Sequence, residues 1–265
     1  LPFVTIDGAD ARDFDDAVLA EPRDAGGWVI RVAVADVAHY VRPGTALDRE
    51  AKRRGNSVYL PDRVVPMLPE ALSNDLCSLR PQEPRASMVA EITLDDSGEM
   101  ISHRFERALI RSAARLTYDQ VQAWHEGRHD EAAIDIDDAI LANLFGAWQA
   151  LNAAREAREP LALNLKERRV LLDENGVPQA IVQRAQSESQ RLIEDYMIAA
   201  NVAAAQTLTK AGRPCVFRVH DQPDPEKMDA LRDLADAVGT KLARGQVLRP
   251  RQFNALLAHV DATPD

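Results

Sequence analysis

The stretch Thr5 to Val18, TIDGADARDFDDAV, constrains this chain more than any other. Asp7, Asp13, Asp15 and Asp16 fall within ten residues, Asp10 lies among them, and Arg12 is the nearby cation. Two carboxylates about 4 Å apart at an effective dielectric of 20 repel by roughly 4 kcal/mol. A chain accommodates such a group by solvating it on a loop, by protonating some members, or by binding a cation. Val4 to Asp7 reads as the end of a strand, and Phe14, Ala17, Val18 and Leu19 are apolar. The acids are therefore stitched into core-forming sequence and cannot all reach water. That context favours the cation over the competing reading, a solvated acidic turn. Hard carboxylate oxygens suit Mg²⁺ or Mn²⁺.

Residues 28–35, WVIRVAVA, are apolar at nearly every position and predict a central strand buried on both faces. Thr45 to Arg54 predicts a short helix ended by Gly55. Pro61, Pro66, Pro69, Pro81 and Pro84 then impose an extended, irregular path, the kind of stretch that is commonly functional inside a domain. Residues 88–94 and 100–111 flank Asp95-Asp96-Ser97-Gly98 as a hairpin, and 169–173 and 177–184 flank Glu174-Asn175-Gly176 as a second. Thr117, with Gln120 three residues on, is a capping box opening a helix that Gly127 closes. Further helices are expected over 138–159, 189–211, 225–238 and 250–260, the third capped by Asp224 with Pro225 in its first turn. A strand is expected at 215–219. Strand pairs and helices are mixed, with no repeat and no clear linker, so the expected fold class is α+β.

A chain of 265 residues can bury a large core. Cys77 and Cys215 are its two cysteines, which is no disulfide framework and suits a reduced, cytoplasmic setting. No apolar run approaches a membrane span. Acids outnumber Lys plus Arg by 42 to 32, for a net charge of −10, the reverse of the usual nucleic-acid binder. Part of that excess lies in the aspartate group and in segments such as Asp130 to Asp138. The chain opens at Leu1, on the edge of its first strand, and reads as a piece of something longer.

Further blocks follow in order: VAVADVAHYV, GNSVYLPDRVVPMLPEALSNDLCSLRP, LIEDYMIAANV and FRVHDQPDPEKMDAL. With TID, a five-residue gap and DFDD, they resemble the ribonuclease II/ribonuclease R (RNB) family of processive 3′→5′ exoribonucleases over nearly the whole chain. The resemblance implies a mixed, mainly antiparallel sheet surrounded by helices. It implies an RNB catalytic domain over residues 1–265 that is incomplete at its C-terminus, because the family's later R-R-Y-x-D block, which supplies a catalytic arginine, is missing from the sequence. Flanking OB-fold RNA-binding domains are missing from it too. The implied magnesium site is Asp7, Asp13, Asp15 and Asp16, with Asp15 and Asp13 catalytic and Mn²⁺ as the alternative ion. The implied partner is RNA, threaded 3′ end first as a single strand, and the implied products are nucleoside 5′-monophosphates.

Tyr59, in SVYLP, stands at the family's stacking position; base stacking is worth roughly 1–3 kcal/mol and tolerates any base. A half-buried tyrosine in an edge segment is the plain alternative. Asn74 and Asp75 either cap the next turn or lie near the RNA end or the metal. Glu194 shares a helical face with Ile198 and Asn201, while Ile193, Tyr196, Met197 and Ala200 cover the rest of the inward side. Glu194 is thus expected to face the interior or a channel wall, where a carboxylate needs a partner. That partner is Arg191 or, as the resemblance implies, the 3′-terminal nucleotide. Arg218 and Lys227 are expected phosphate contacts, and His220 is read as structural. Lys52-Arg53-Arg54 is a solvated face or the edge of an RNA path. Leu163 and Asn164 stand where the family commonly carries a second aromatic clamp. Two functions compete with the exoribonuclease. One is an aspartate-cluster phosphotransferase or phosphatase of another fold, for which the sequence offers no GxxxxGK[ST] loop. The other is a catalytically impaired RNB-like RNA-binding or interaction module.

Overall fold

The computed structural model describes residues 1–162, 167–174, 176–184, 186–219, 221–243 and 248–262. The chain opens on three strands, β1 (Val4–Asp7), β2 (Asp16–Pro22) and β3 (Trp28–Ala35). Two short helices, α1 (Val37–Tyr40) and α2 (Ala46–Arg54), lead to the small pair β4 (Val58–Tyr59) and β5 (Val64–Val65), and then to one π-helical turn, Leu72–Leu76. The long hairpin β6 (Pro84–Leu94) and β7 (Met100–Arg111) and the short β8 (Ala114–Thr117) complete the main sheet. There follow α3 (Tyr118–His125), α4 (His129–Ala132), α5 (Asp138–Ala157), a separate hairpin of β9 (Glu167–Leu172) and β10 (Pro178–Arg184), α6 (Glu188–Lys210), α7 (Pro225–Ala237) and α8 (Pro250–Asp261).

The sheet runs β7-β6-β3-β2-β1-β8. Each neighbouring pair is antiparallel except β1 with β8, so the expected α+β fold with a mixed, mainly antiparallel sheet is what forms. β3 lies between β2 and β6, and its side chains divide between two cores, as a strand apolar at nearly every position requires. On one face Val4, Ile6, Val18, Ile30, Val32 and Ile92 pack against Leu141, Leu144 and Trp148 of α5 and Leu192 and Tyr196 of α6. On the other, Phe3, Ala17, Leu19, Ala33 and Val89 pack against Leu72, Cys77 and Leu79 from the proline-broken stretch. Helices thus cover one face and irregular chain the other, and the irregular side leaves room for a site.

Local signals explain most of the elements. The Thr117–Gln120 capping box forms as expected. Asp224 accepts from the amides of Glu226 and Lys227 at the start of α7. Gly98 turns the β6–β7 hairpin at φ 82, and a Cβ there would lie 2.1 Å from the carbonyl of Ala150, so only glycine lets the turn sit on α5. Both hairpins occur close to their expected bounds. The strand expected at 215–219 does not form. Val216 is 99% and Val219 77% exposed, because an apolar alternation without a neighbouring strand has no ladder to join. Leu163, Asn164, Asn175 and His220 lie outside the described residues. Among the described residues no helix is long and apolar enough to cross a membrane.

Candidate active site

β1 ends at Asp7 and β2 begins at Asp16, so residues 8–15 form a loop at one end of two central strands. The loop is held at both ends. Arg115, on β8 opposite Thr5, donates from Nη2 to the carbonyls of Gly8 (3.0 Å) and Ala9 (2.9 Å). Its guanidinium also lies 5.4 Å from the centroid of the Phe14 ring. At the far end Ser78 Oγ accepts from the Phe14 amide and donates to the Arg12 carbonyl, both at 3.1 Å. The Leu79 amide donates to Phe14 O and the Ala35 amide to Asp15 O. Phe14 packs on the second core and anchors the loop there, with acids on either side of it. Asp7, Asp13 and Asp16 are half-buried and Asp15 is exposed.

Burial pushes the Asp7 carboxyl up to about 7, and Asp16, Asp15 and Asp13 push the same way against the opposing charge of Arg115. Burial and then Asp15 raise Asp16 to about 6. Asp15 is exposed as a residue, but partial desolvation of its carboxyl and then Asp13 raise its pKa. Asp7 therefore stands within electrostatic reach of the other three, and Asp15 of Asp16 and Asp13. Asp7 Oδ2 is buried without a hydrogen-bond partner, as are Thr5 Oγ1 two residues before it and Nε of Arg115, the register partner of Thr5. Each such orphan costs about 1–3 kcal/mol, so three together mark a place built for a further polar or charged group. Among the described residues no three His, Cys, Asp or Glu side chains form a ready-made metal cage. The acids are neighbours in an open arrangement and not a closed shell. Their hard oxygens, raised pKa values and orphaned carboxylate atom fit a small divalent cation.

Tyr59 ends β4 with 69% of its surface exposed. Its hydroxyl pKa is raised by burial and then by Asp13 and Asp15, so the small β4–β5 pair brings this ring to the aspartate end of the sheet. Asn74 and Asp75 sit in the π-helical turn. Asn74 accepts from Ser73 Oγ at 2.9 Å, and Asp75 pairs with Arg80 at 3.1 Å and Arg85 at 3.4 Å. Together with Arg12, Phe14 and Arg80 they line an open cleft of about 530 Å³ against the aspartate loop.

Glu194 does not face the interior, the first of the two placings expected for it. It is exposed, as are Ile198 and Asn201, and it accepts from Gln186 Nε2 at 2.8 Å instead of pairing with Arg191. The buried carboxylate of α6 is its neighbour Asp195, 7% exposed, which accepts from Trp148 Nε1 at 2.9 Å and lies 3.6 Å from Arg155 Nε. The inward stripe of Leu192, Ile193, Tyr196, Ala199 and Ala203 is wide enough that one helical step decides which acid is enclosed. Arg218 is exposed in irregular chain, with no hydrogen bond or ion pair among the described residues. Lys52, Arg53 and Arg54 pair with Asp48 and Glu50 on their own helix, as a solvated face would. Sequence reasoning missed Arg115 and Ser78. Neither carries a local signal, because Arg115 is 107 residues from Gly8 and Ser78 is 64 from Phe14.

The RNB domain family matches residues 1–265. The chain belongs to the RNB family. This RNB domain is 42% identical over 268 residues to ribonuclease R of Escherichia coli (strain K12), covering 100% of this chain and 33% of that protein. It thus spans about a third of the length of the curated relatives it matches. Mycoplasma genitalium RNase R, solved in complex with double-stranded RNA, superposes with a TM-score of 0.92 at 32% identity, covering 100% of this chain and 47% of that one. Yeast Ssd1, described as a pseudonuclease, shares the fold at a TM-score of 0.68 and 19% identity, over 90% of this chain and 29% of its own. An RNB fold alone therefore does not guarantee catalysis, which depends on the site residues.

Proposed function

We propose that this RNB domain is the catalytic part of a magnesium-dependent, processive 3′→5′ exoribonuclease that hydrolyses RNA to nucleoside 5′-monophosphates. The observation that carries the reading is the aspartate group: three acids within electrostatic reach of Asp7, two of the four raised to about 7 and about 6, with one buried carboxylate oxygen unpaired. The 42% identity with ribonuclease R over the whole chain, and the likeness to an RNase R solved with RNA, support it. Asp7, Asp13, Asp15 and Asp16 would hold Mg²⁺, with Mn²⁺ as the alternative. Bound there, the ion supplies positive charge to the attacking and leaving oxygens of the phosphodiester.

The chain's own residues do the rest. Asp15 is exposed at the end of the loop and has a raised pKa, which suits it to orient the attacking water and take up its proton. Asp13, which acts on Asp15 electrostatically, assists. Tyr59 offers an exposed ring on which any terminal base can stack, and stacking without edge recognition is what sequence independence requires. Asn74 and Asp75 border the cleft beside the loop and receive the RNA end. Glu194 and Arg218, both exposed, contact the terminal nucleotide and a phosphate. The substrate is single-stranded RNA presented 3′ end first, and in a longer parent chain OB-fold RNA-binding domains flank the catalytic one. Cys77 and Cys215 are free, in keeping with a reducing cytoplasm.

The test compares this chain with its Asp15→Asn variant on 5′-labelled RNA carrying a single-stranded 3′ tail, with and without Mg²⁺. Stepwise shortening from the 3′ end, release of 5′-monophosphates and a loss of at least about a hundredfold in Asp15→Asn, with RNA binding kept, support the reading. Equal cleavage by the variant refutes it. RNA binding without cleavage by either protein would leave an interaction module.

A further inference from the structure

We propose that Arg115 is a positioning residue, clamping the first turn of the aspartate loop so that Asp7 and the acids at 13, 15 and 16 can share one cation. The inference rests on the metal-dependent reading above. Beyond Asp7 the loop leaves the sheet, and the turn bond from the Ala11 amide to the Gly8 carbonyl helps to order its near end from within. From outside, one nitrogen, Arg115 Nη2, holds the Gly8 and Ala9 carbonyls at 3.0 and 2.9 Å. The same guanidinium lies over Phe14, flanked in sequence by Asp13 and Asp15, so one side chain touches both halves of the loop. It can do so because β8 runs parallel to β1 in a register that sets Arg115 opposite Thr5, two residues before Asp7. Lysine has neither the planar face nor the reach to replace all three contacts.

The position also carries an electrostatic penalty that makes the role testable. A guanidinium beside a cation site repels the ion it helps to seat. If Arg115 acted only through charge, removing it would tighten cation binding at a pH well above 7, where Asp7 is ionised and does not need the charge of Arg115 to keep it so. If it acts by positioning, removing it loosens binding in spite of the gained negative charge. The two roles predict opposite signs.

The experiment titrates MgCl₂ at a pH well above 7 into this chain and into Arg115→Met and Arg115→Lys, reading the concentration midpoint of binding by isothermal titration calorimetry. Mn²⁺ binding is read in parallel from the loss of the free-ion electron paramagnetic resonance signal. The expected result is a midpoint about tenfold higher in Arg115→Met and about threefold higher in Arg115→Lys for both ions, the scale of losing charge-assisted hydrogen bonds. A merely structural role would lower the metal-free unfolding temperature and leave the midpoint in place, and that result overturns the proposal. A midpoint below wild type in Arg115→Met also overturns it. Should Arg115→Met not fold, Arg115→Lys decides, and a midpoint equal to wild type is the overturning result. A wild-type chain indifferent to both ions overturns the metal reading itself, an outcome distinct from a responsive wild type with unaffected variants.

Discussion

Asp7→Asn should make the metal-free protein more stable at pH 8 while removing most of its response to Mg²⁺. The Asp7 carboxyl stands at about 7 in the folded chain against an ordinary 3.8. A raised acid means that the folded state holds the proton more tightly than the unfolded state. Below pH 3.8 both states are protonated and nothing is lost. As pH climbs from there to about 7 the unfolded chain ionises freely and the folded one does so at a cost, so stability falls across that window and levels off above it. About three pKa units at 1.36 kcal/mol each set a ceiling near 4 kcal/mol. Asp7 is only half-buried, and solvent screening roughly halves that figure to about 2 kcal/mol. Asn keeps the shape without the charge, so it should recover about 2 kcal/mol at pH 8 and nothing at pH 4. The assay is urea unfolding in EDTA between pH 4 and 8, repeated in excess Mg²⁺. A cation present at a hundred times its dissociation constant stabilises the binding-competent wild type by about 2.7 kcal/mol, enough to reverse the order of the two proteins. A stability difference between Asp7→Asn and wild type that does not grow between pH 4 and 7, or an Asp7→Asn variant weaker than wild type at pH 8 in EDTA, would refute the reasoning.

Tyr59→Ala should leave the unfolding midpoint within about 0.5 kcal/mol, since the ring is largely exposed, yet weaken RNA binding by about 1–3 kcal/mol, measurable by fluorescence anisotropy with an Asp15→Asn background to prevent cleavage. Trp148→Phe removes the indole donor from the buried Asp195 carboxylate and should destabilise the chain by about 1–3 kcal/mol in urea unfolding, without altering the Mg²⁺ midpoint. Glu194→Ala, at an exposed position, should leave stability unchanged in the same assay but slow release of the terminal nucleotide, and unchanged turnover would remove Glu194 from the site.

Much was legible in sequence because it is local. Thr117 and Gln120 satisfy each other's orphan donors within one turn, and Asp224 does the same for α7, so those helix starts need no distant partner. The apolar run at 28–35 called for cover on both faces and received it. The aspartate spacing named the candidate site because Phe14, Ala17 and Leu19 tie those acids to the core. Other features depended on distant chain. The strand expected at 215–219 had apolar alternation but no neighbour to pair with. The rotation of α6 decided that Asp195 and not Glu194 is enclosed, a difference of one residue on a helix whose apolar stripe would admit either.

The order of residues alone was sufficient for most of the longer elements, several of their caps and the cluster of acids, since propensity, periodicity and like-charge repulsion act over a few neighbours. Tertiary structure decided how that cluster is held. The parallel register of β1 with β8 and the path of chain back to Ser78 bring a guanidinium and a hydroxyl to the loop from 107 and 64 residues away. Side-chain contacts of that separation follow from the packing of the whole sheet, and no short window of sequence contains them.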